Sequence, residues 1–377
     1  MQLLFYRFLT AISSPLAALV FLVRGDGLAR VQERFGFVPR HRSKTLWFHA
    51  ASVGEFRALR PLILREWRRA VVVTVQSRQG LALARQELPE TIPVFAAPFD
   101  APFLFPVFLA RIQPVALVLV ESELWPGWLA DLNARNVPAV LLDGELSKSS
   151  AKRWARWSGL VQPMAQTIQR MTVSSLSKRA VFEGLGFQGI NLALPLKLAG
   201  DPLPIDEDLR KRWQAWQGRS PLIILSNVHR SEITALKDML EKRNGDEKII
   251  IAPRYPEQMR AFKGAFGAAS DRLAYWTGFG TLGALYALGG TVVMGGGFDA
   301  KIGSHNPLEA LRAGCPVMYG PFPGKQSDVL DLLQGRGLVA QFPEWPKAVS
   351  ATENLDDLAA KSIQQAVSAI ESAISEQ

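Results

Sequence analysis

One stretch of this chain, residues 294–321, combines the residue types of a nucleotide site. An apolar strand runs into three glycines at 295–297, and Asn306 and Pro307 then open a helix with Glu309 in its first turn. Bare backbone and the amide end of a helix can bind a phosphate, and the Glu309 carboxylate can accept hydrogen bonds from ribose hydroxyls. A tight turn with a capped helix would explain the glycines alone. The adjoining histidine, asparagine and glutamate favour a nucleotide.

A second candidate group, Glu55, lies in the loop between an apolar strand at 45–49 and a helix predicted over residues 56–69. Open α/β folds bind their ligands at the carboxyl ends of the strands. Glu55 is therefore a candidate general base. A carboxylate placed in the first helical turn by the helix dipole is the alternative, and position alone does not separate the two.

Two acids follow the most apolar strand of the chain. Residues 115–120 read VALVLV, which predicts a buried strand, and Glu121 and Glu123 come directly after it. Two acids at this spacing on a strand end point to the same face, and each can shift the pKa of the other. One acid could then stay ionised while the other holds a proton. An ordinary polar strand end is the alternative, but the position at the ligand edge favours function.

The elements that position these groups alternate between strand and helix, with helices predicted at 104–112 and 151–168. A linker rich in Pro, Gly and Asp, at 199–208, divides the chain into two blocks. The predicted strands are 45–49, 70–75, 92–96, 115–120, 138–142 and 171–175 in the first block, and 221–226, 248–252, 272–276, 291–294 and 316–319 in the second. Since 377 residues exceed the size of one core, two doubly wound parallel sheets are predicted.

The segment 3–23 is apolar apart from Arg7, two serines and small residues, and Arg24 and Arg30 follow it. Its length just spans a bilayer, yet Arg7 and Pro15 leave a spanning helix and a helix at the membrane interface equally open. A signal peptide fits less well because no positively charged region precedes the run. A core helix would need apolar cover on all sides. We therefore predict a membrane-associated helix.

The net charge of +9 is concentrated in the first part of the chain. Residues 1–160 carry 20 Lys and Arg against 12 Asp and Glu, whereas residues 161–377 carry 23 against 22. A basic surface beside a membrane helix suits a phosphorylated lipid substrate. Nucleic-acid binding is disfavoured, because the basic residues are not interleaved with aromatic ones and no binding motif accompanies them.

The cysteine and the histidines give little support to covalent or metal chemistry. Cys315 is the single cysteine, so a disulfide within the chain is excluded and a reducing compartment is indicated. We expect its thiol to be inert packing. His49, His229 and His305 lie near strand ends but lack the spacing of metal ligands, so hydrogen bonding is favoured. For His229, with Glu232 after it, a helix start and a group facing a ligand remain equally open.

Seven segments of the chain, in this order, resemble the Kdo transferases, glycosyltransferases that use 3-deoxy-D-manno-octulosonic acid. They are WFHAASVGE (47–55), VESELWP (120–126), LSKSS (146–150), LPLKL (194–198), SNVHRSE (226–232), APRYPE (252–257) and GSHNPLEALRAGCPV (303–317). The resemblance covers nearly the whole chain. It implies an α/β GT-B fold, in which two Rossmann-like domains face each other across a cleft. An amphipathic C-terminal helix beginning at Asn354 would return to the N-terminal domain.

The resemblance implies an inverting, metal-independent transfer of Kdo from CMP-Kdo to a lipid A precursor, without a cofactor, at the cytoplasmic face of the inner membrane. It makes Glu55 the general base, and Glu123 and Lys197 groups that stabilise the transition state. It assigns CMP to Arg254, Tyr255, Leu282, Gly283, Ala284, Asn306, Pro307, Leu308 and Glu309. These types fit the chemistry, because a carboxylate takes the acceptor's proton while cations and helix amides stabilise the departing phosphate.

The domains implied are a membrane-associated helix at 1–24, an acceptor-binding domain at 25–200, a CMP-sugar-binding domain at 201–352 and a returning helix at 353–377. The chain departs from the family pattern at Asp143, Gly144, Glu145, Pro195, Tyr255 and Ala284. These departures concern the acceptor and the number of sugars added more than the fold. A GT-B enzyme acting on another nucleotide sugar, as a related transferase or an epimerase, is the alternative. A membrane-bound adaptor is disfavoured by the polar strand ends.

Overall fold

The computed structural model describes residues 1–23, 25–243, 245–278, 280–346 and 351–375. The chain divides into two compact units, one formed by Met1–Gly200 with Leu358–Gln377 and the other by Asp201–Asp357. Arg24, part of the predicted basic exit from the first helix, lies outside the described residues.

The first unit is built on a parallel sheet of seven strands in the order β3-β2-β1-β4-β5-β6-β7. The strands are β1 Thr45–Ala50, β2 Ala70–Val75, β3 Val94–Ala96, β4 Pro114–Val120, β5 Ala139–Leu142, β6 Ile168–Val173 and β7 Ile190–Leu192. The order reverses between β1 and β4, which are neighbours although two strands separate them in sequence. Their carboxyl ends therefore form the crevice in which such sheets bind ligands.

Successive side chains of each strand point to opposite faces of the sheet, and an apolar core covers each face. On β1, Phe48 contributes to one apolar core and Trp47 to the other, and both are fully buried. The helices of this unit are α1 Gln2–Val23, α2 Leu28–Arg34, α3 Val53–Ile63, α4 Arg78–Glu87, α5 Phe105–Ile112, α6 Pro126–Asn133, α7 Lys148–Ala155, α8 Ser158–Thr167 and α9 Leu176–Glu183.

The second unit repeats the arrangement with a parallel sheet of six strands in the order β10-β9-β8-β11-β12-β13. Its strands are β8 Leu222–Val228, β9 Lys248–Pro253, β10 Leu273–Tyr275, β11 Thr291–Met294, β12 Val317–Tyr319 and β13 Val339–Gln341. Its helices are α10 Glu207–Gln217, α11 Ile233–Glu241, α12 Met259–Phe266, α13 Leu282–Tyr286, α14 Leu308–Arg312 and α15 Ser327–Gln334. The order reverses between β8 and β11, so this unit also has a ligand crevice.

The last helix, α16 Ala351–Ser375, begins three residues before Asn354. Its apolar face, with Val367, Ile370 and Ala373, completes the core on one face of the first sheet. The predicted return of the C-terminal helix to the N-terminal unit is confirmed.

Several element boundaries differ from the prediction. The helix predicted at 56–69 is α3, which begins earlier because Ser52 caps it, accepting from the Glu55 N–H. The helix predicted at 151–168 is two helices, α7 and α8, separated at Arg156 and Trp157, and the last predicted residue, Ile168, belongs to β6. Gly159, a poor helix former, follows this break. The strands β7 and β13 were not predicted; β7 exposes two of its three residues, so it lacks the buried apolar run that marks the other strands.

The first helix, α1, is the single described helix that is long and apolar enough to cross a membrane by length and composition. It lies along the first unit. Tyr6 Oη donates to Asp100 Oδ2 at 2.7 Å, Arg7 pairs with Asp131, and Ser14 is buried. The opposite side of the helix is an exposed apolar stripe, formed by Leu4, Phe5, Phe8, Leu9, Ile12, Leu16, Leu19 and Val23.

Candidate active site

Glu55 lies in the first turn of α3, directly after β1 at the crevice of the first unit. Its Oε2 accepts from the Ala51 N–H at 2.6 Å, and its Oε1 lies 3.2 Å from the Ser52 hydroxyl. The Ser52 Oγ in turn accepts from the Glu55 N–H. This reciprocal capping fixes the direction of the carboxylate. Glu55 therefore has the geometry of a carboxylate that caps a helix start, and it also lies at the carboxyl end of β1.

The electrostatic surroundings suit Glu55 to proton transfer. Burial raises the pKa of Glu55 to about 7, and the negative charges of Glu123 and Glu121 act in the same direction. The hydrogen bonds from Ala51 and Ser52 oppose this shift. A carboxylate with a pKa near 7 is a far better base at neutral pH than an ordinary glutamate.

Glu123, after β4, has the opposite environment. Trp125 Nε1 donates to Glu123 Oε2 at 2.8 Å, and His49 Nε2 lies 3.5 Å from the same oxygen. Burial acts to raise the pKa of Glu123, but hydrogen bonding and the charge of His49, with the Trp125 bond, hold it below its usual value. Glu123 is therefore ionised when Glu55 is half protonated.

The raised pKa belongs to Glu55, in the first turn of α3, and the lowered pKa to Glu123. Glu121 has a positive φ of 58°, which turns its side chain away from the strand direction, and its Oε1 lies 4.0 Å from Lys197 Nζ. The strand ends at Val120, so alternation along a strand does not govern the two acids.

Lys197 lies in the 3₁₀ turn Leu196–Ala199, which is held by contacts on two sides. Asp143 Oδ2 accepts from the Leu196 N–H at 2.7 Å. From α16, Gln365 Oε1 accepts from the Leu194 N–H at 2.8 Å, and the Ser362 hydroxyl contacts the carbonyl oxygens of residues 194 and 195. The returning helix therefore positions the segment that carries Lys197.

The departures from the family pattern have structural roles here. Asp143 is buried, and burial raises its pKa to about 6, against the effects of the Leu196 N–H and the Lys197 charge. Glu145 Oε2 pairs with Lys178 Nζ at 3.0 Å. Pro195 supplies its carbonyl to Ser362. Asp143 therefore holds the Lys197 segment, and Glu145 pairs with a neighbouring lysine.

In the second unit, the glycines of residues 295–297 allow loop backbones to touch. A Cβ on Gly295 would lie 2.3 Å from the Asn227 carbonyl oxygen, and one on Gly297 would lie 2.8 Å from the Gly320 nitrogen. The fully buried Glu232 carboxylate accepts from the N–H groups of Gly296 and Phe298, at 2.8 and 3.0 Å. These two amides are therefore bound within the unit, contrary to the expected open phosphate cradle.

Arg254 lies directly after β9, at the carboxyl edge of the second unit's sheet. Its Nη1 donates to Asn227 Oδ1 at 3.3 Å, and its charge acts on His229, His305 and Tyr286. Tyr255 is 47% exposed, and its ring meets His229 edge-on at 5.7 Å.

Asn306, Pro307, Leu308 and Glu309 lie together at the start of α14. Asn306 Oδ1 accepts from the Leu308 N–H at 3.1 Å, so the asparagine side chain closes a turn just before this helix. Pro307 and Leu308 are buried, whereas Asn306 and Glu309 are half-buried and carry the polar groups. Glu309 lies near Tyr286 and Arg312, on whose pKa values its charge acts.

The segment Leu282 to Ala284 forms the first turn of α13. Gly283 and Ala284 are buried, and a Cβ on Gly283 would lie 2.1 Å from the Pro204 carbonyl oxygen. The Ala284 N–H donates to the Thr281 carbonyl at 3.1 Å, so this amide is taken by the turn. Nucleotide binding by this backbone stays a prediction.

Two other sequence expectations concern Cys315 and metal ligands. The Cys315 thiol is buried, its Sγ lies 3.2 Å from the Tyr286 carbonyl oxygen, and burial raises its pKa to about 12. A thiol in that environment does not act as a nucleophile. Within the described ranges no group of three or more His, Cys, Asp and Glu side chains is arranged to hold a metal ion.

Sequence reasoning left two important partners without a role. His49 was noted only as a histidine near a strand end. For Glu232, together with His229, a helix start and a group facing a ligand were both kept open. Glu232 binds backbone N–H groups from three different residues, which no spacing rule reveals. A polar residue at a strand end in an otherwise apolar segment, as at His49 in β1, is the signal that could have drawn attention to it.

The comparisons with known proteins agree with the motifs. Residues 29–199 match the family model described as 3-deoxy-D-manno-octulosonic-acid transferase (kdotransferase). The transferase of this name from Chlamydophila psittaci is 26% identical over 81% of this chain and 76% of its own length. That from Rickettsia bellii is 24% identical over 86% and 84%. The chain is thus related to these transferases, and the resemblance drawn from its motifs is confirmed.

Solved structures share the fold at low sequence identity. UDP-GlcNAc 2-epimerase from Neisseria meningitidis, solved with UDP-GlcNAc, has a TM-score of 0.57 and 11% identity, covering 89% of this chain and all of that one. Anabaena Alr3699/HepE, solved with UDP, has a TM-score of 0.54 and 13% identity, covering 88% of this chain and all of that one. The fold is accordingly GT-B, as predicted.

Proposed function

We propose that this relative of the 3-deoxy-D-manno-octulosonic acid (Kdo) transferases transfers Kdo from CMP-Kdo to a lipid A precursor, with inversion at the sugar's anomeric carbon. The observation that carries the proposal is Glu55, a capped carboxylate at the β1 end whose pKa of about 7 suits a general base. It lies inside the segment that matches the family. The choice of Kdo as the transferred sugar rests on the names of the relatives.

In this reaction Glu55 takes the proton of the acceptor hydroxyl while that oxygen forms a bond to the anomeric carbon of Kdo. The bond from this carbon to the phosphate oxygen breaks, and its electron pair leaves with CMP. Attack on the face opposite to the leaving group inverts the anomeric centre. A positioned base of this kind contributes about a hundred- to ten-thousand-fold in rate.

Glu123 and Lys197 stabilise the charges that develop in the transition state. The ionised Glu123 favours positive charge on the sugar ring, whereas the Lys197 ammonium favours negative charge. Both are held in place by other residues, Glu123 by Trp125 and Lys197 by its anchored turn. Preorganised charges of this kind are effective because they need no reorganisation during the reaction.

The second unit binds CMP. Arg254 meets the phosphate, Glu309 and Asn306 accept from or donate to the ribose and base, and Tyr255 offers an exposed ring. Leu282, Gly283 and Ala284 bound the same crevice with Pro307 and Leu308. We assign no metal or cofactor, because Arg254 carries the charge that a departing phosphate needs.

The enzyme binds the membrane through α1, which lies flat on the bilayer surface at the cytoplasmic face of the inner membrane. The helix contacts the first unit from Gln2, which accepts from the Gly159 N–H at 2.8 Å, to Phe21, whose ring meets Phe99. Those contacts extend over about 30 Å of helix. Packing along one side on folded protein supports the interfacial position over a spanning one, and the exposed apolar stripe fits the interface.

The test is acceptor-dependent release of CMP. Purified protein is incubated with CMP-Kdo in the presence and absence of a lipid A precursor, and CMP is quantified by chromatography. We expect release only with the acceptor present. A parallel incubation with UDP-GlcNAc alone tests the alternative, since an epimerase converts the sugar without an acceptor. Epimerised UDP-GlcNAc, or CMP release that ignores the acceptor, would reject the proposal.

A further inference from the structure

His229 and His305 face each other in the second unit. Their Nε2 atoms lie 2.7 Å apart, and the rings are nearly parallel, with centroids 5.0 Å apart and an angle of 20° between planes. His229 follows β8, and its N–H donates to Glu232 Oε2 at 2.8 Å. The His305 N–H donates to the Gly295 carbonyl at 3.0 Å. Both backbones are fixed, so the contact between the imidazoles is built into the fold.

Two imidazole nitrogens at this distance must share a single proton, because one has to donate and the other has to accept. The pair can therefore be neutral, or it can carry one extra proton on an outer nitrogen and keep its hydrogen bond. A second extra proton would place two N–H groups against each other. The geometry limits the pair to one positive charge.

The groups around the pair keep it neutral in the empty protein. Burial lowers the pKa of His305 to about 4, and His229 and Arg254 add to the effect. Burial also lowers the pKa of His229, as does Arg254, while Glu232 and Asp299 act in the opposite direction. The Glu232 carboxylate is already engaged by three backbone N–H groups. Arg254 is the named neighbour that disfavours charge on both imidazoles.

We propose that His229, His305 and Arg254 form a proton-coupled anion site, in which the histidine pair takes up one proton when the nucleotide's phosphate binds. The assignment rests on the proposed function insofar as it places the donor nucleotide in this unit. It adds two binding residues and a direction of proton flow. The proton comes from solvent, and no covalent bond is made or broken.

The physical reason is charge compensation. Without a ligand, the Arg254 guanidinium repels a proton on the pair. A phosphate at Arg254 neutralises that charge and brings its own negative charge to the imidazoles, which raises their pKa values. By linkage, a ligand that raises a pKa is bound together with a proton, and it binds more tightly as the pH falls toward that pKa.

The experiment is calorimetry of CMP binding to the full chain at about pH 6, between the lowered and the ordinary histidine pKa. Titrations in buffers of different ionisation enthalpy give the number of protons taken up. The same titrations are made with His305→Gln, which cannot titrate, and with His41→Gln, a matched histidine outside this unit. Cytidine, which lacks the phosphate, is the second ligand. Thermal unfolding verifies that each variant is folded.

We expect the wild type and His41→Gln each to take up about half a proton or more when CMP binds. His305→Gln should lose this uptake and bind CMP several-fold more weakly, whereas cytidine should show no uptake with any variant. Equal proton counts for the wild type and His305→Gln would overturn the inference. Any proton that the phosphate itself releases is common to both proteins and cancels in the difference.

A failure of the proposed donor is distinguishable from a failure of the pair. If CMP does not bind but UDP does, with an uptake that His305→Gln abolishes, the anion site stands and the CMP-sugar proposal falls. If CMP binds with the same proton count in both proteins, the donor stands and the anion site falls. If neither nucleotide binds to the wild type, both proposals are wrong.

Discussion

His49 Nε2 lies 3.5 Å from Glu123 Oε2, while the other ring nitrogen of His49 lies 2.9 Å from Thr74 Oγ1. The imidazole is fully buried and is held between β2 and the end of β4. Its contact keeps Glu123 ionised, and the charge of Glu123 in turn raises the pKa of Glu55. A buried histidine thus contributes, through the Glu123 carboxylate, to the raised pKa of Glu55, whose main cause is burial.

The pH dependence of transfer should follow Glu55. Because burial holds its pKa at about 7, the deprotonated base grows as the pH rises, and kcat/KM should fall about tenfold per unit below that value. Glu123→Gln removes the neighbouring charge that has the larger effect on the pKa of Glu55, so the acid limb should move to lower pH. Glu121→Gln should move it less. The measurement is kcat/KM against pH for the three proteins, and superimposable profiles would contradict the coupling.

Replacing the base itself should separate binding from chemistry. Glu55→Gln keeps the size of the side chain and an oxygen that can accept from Ala51, but it cannot take a proton. Transfer should fall about a hundred- to ten-thousand-fold, with CMP affinity unchanged, since the nucleotide is assigned to the other unit. Glu90→Gln, an exposed glutamate of the same unit, is the control. Near-normal turnover by Glu55→Gln would remove this residue from the mechanism.

The stability of the first unit should carry the same signature. The folded-state pKa of Glu55 is raised, so its stabilising contribution is complete below the unfolded pKa and is lost as the pH rises through about 7. The difference in unfolding free energy between wild type and Glu55→Gln should therefore become less favourable to the wild type from about pH 4 to pH 7. Urea unfolding at several pH values measures it. A constant difference would show that the pKa is not raised.

The C-terminal helix should influence the rate through Lys197. Ser362→Ala removes the hydroxyl that contacts the carbonyls of residues 194 and 195, so the turn carrying Lys197 loses an anchor. We expect a several-fold lower kcat, unchanged CMP affinity and a loss of about 1 kcal/mol in unfolding free energy. Ser375→Ala, on the exposed end of the same helix, is the matched control. A stability loss without a change in kcat would make this contact structural only.

The two ends of the nucleotide should give different kinetic signatures. Glu309→Ala removes a contact to the ribose, which is present in the ground state and the transition state alike, so the donor's KM should rise with little change in kcat. Arg254→Ala removes charge at the departing phosphate, so kcat should fall as well. Steady-state kinetics and CMP calorimetry provide both numbers. Unchanged CMP affinity in both variants would place the nucleotide elsewhere.

Membrane binding should depend on the outward stripe of α1 and not on its inner face. Replacing Phe5, Phe8, Ile12 and Leu16 with serine should abolish flotation with anionic vesicles and leave thermal unfolding nearly unchanged. Tyr6→Phe, which loses the bond to Asp100, should lower the thermal unfolding temperature and leave flotation with the vesicles unchanged. Deleting the helix would confound the two effects because its inner face belongs to the first unit. Vesicle binding by the quadruple variant would contradict the assignment.

The strands in the middle of both sheets could be predicted from sequence, because burial on two faces leaves long apolar runs such as residues 115–120. Of the edge strands, β3 and β10 lie within predicted strands, whereas β7 and β13 were missed. Two of the three residues of β7 are exposed, so no apolar run reveals it. The break between α7 and α8 was missed because the apolar pattern continues across it. The packing of α1 on the first unit depends on distant residues, Asp100 and Asp131, and no local pattern reveals it.

The positions of Glu55 and Glu123 near the ends of β1 and β4 could be predicted, because long apolar runs locate those strands, and their roles stay predictions. The partners of these side chains could not be predicted. His49 meets Glu123 because β1 and β4 are neighbours, although two strands lie between them in sequence. The glycines at 295–297 suggested a phosphate cradle, but a buried carboxylate from another segment, Glu232, takes two of the loop's amides. Long-range pairing of this kind is fixed by topology, not by spacing.

The most direct test of the account is the mass of the lipid product. Purified protein is incubated with CMP-Kdo and a lipid A precursor, and the lipid is weighed by mass spectrometry beside a Glu55→Gln control. The account predicts that the acceptor gains the mass of one or more Kdo units, with one CMP released for each, and that the control lipid stays unchanged. An unmodified acceptor in the presence of intact donor and folded wild-type protein would contradict it.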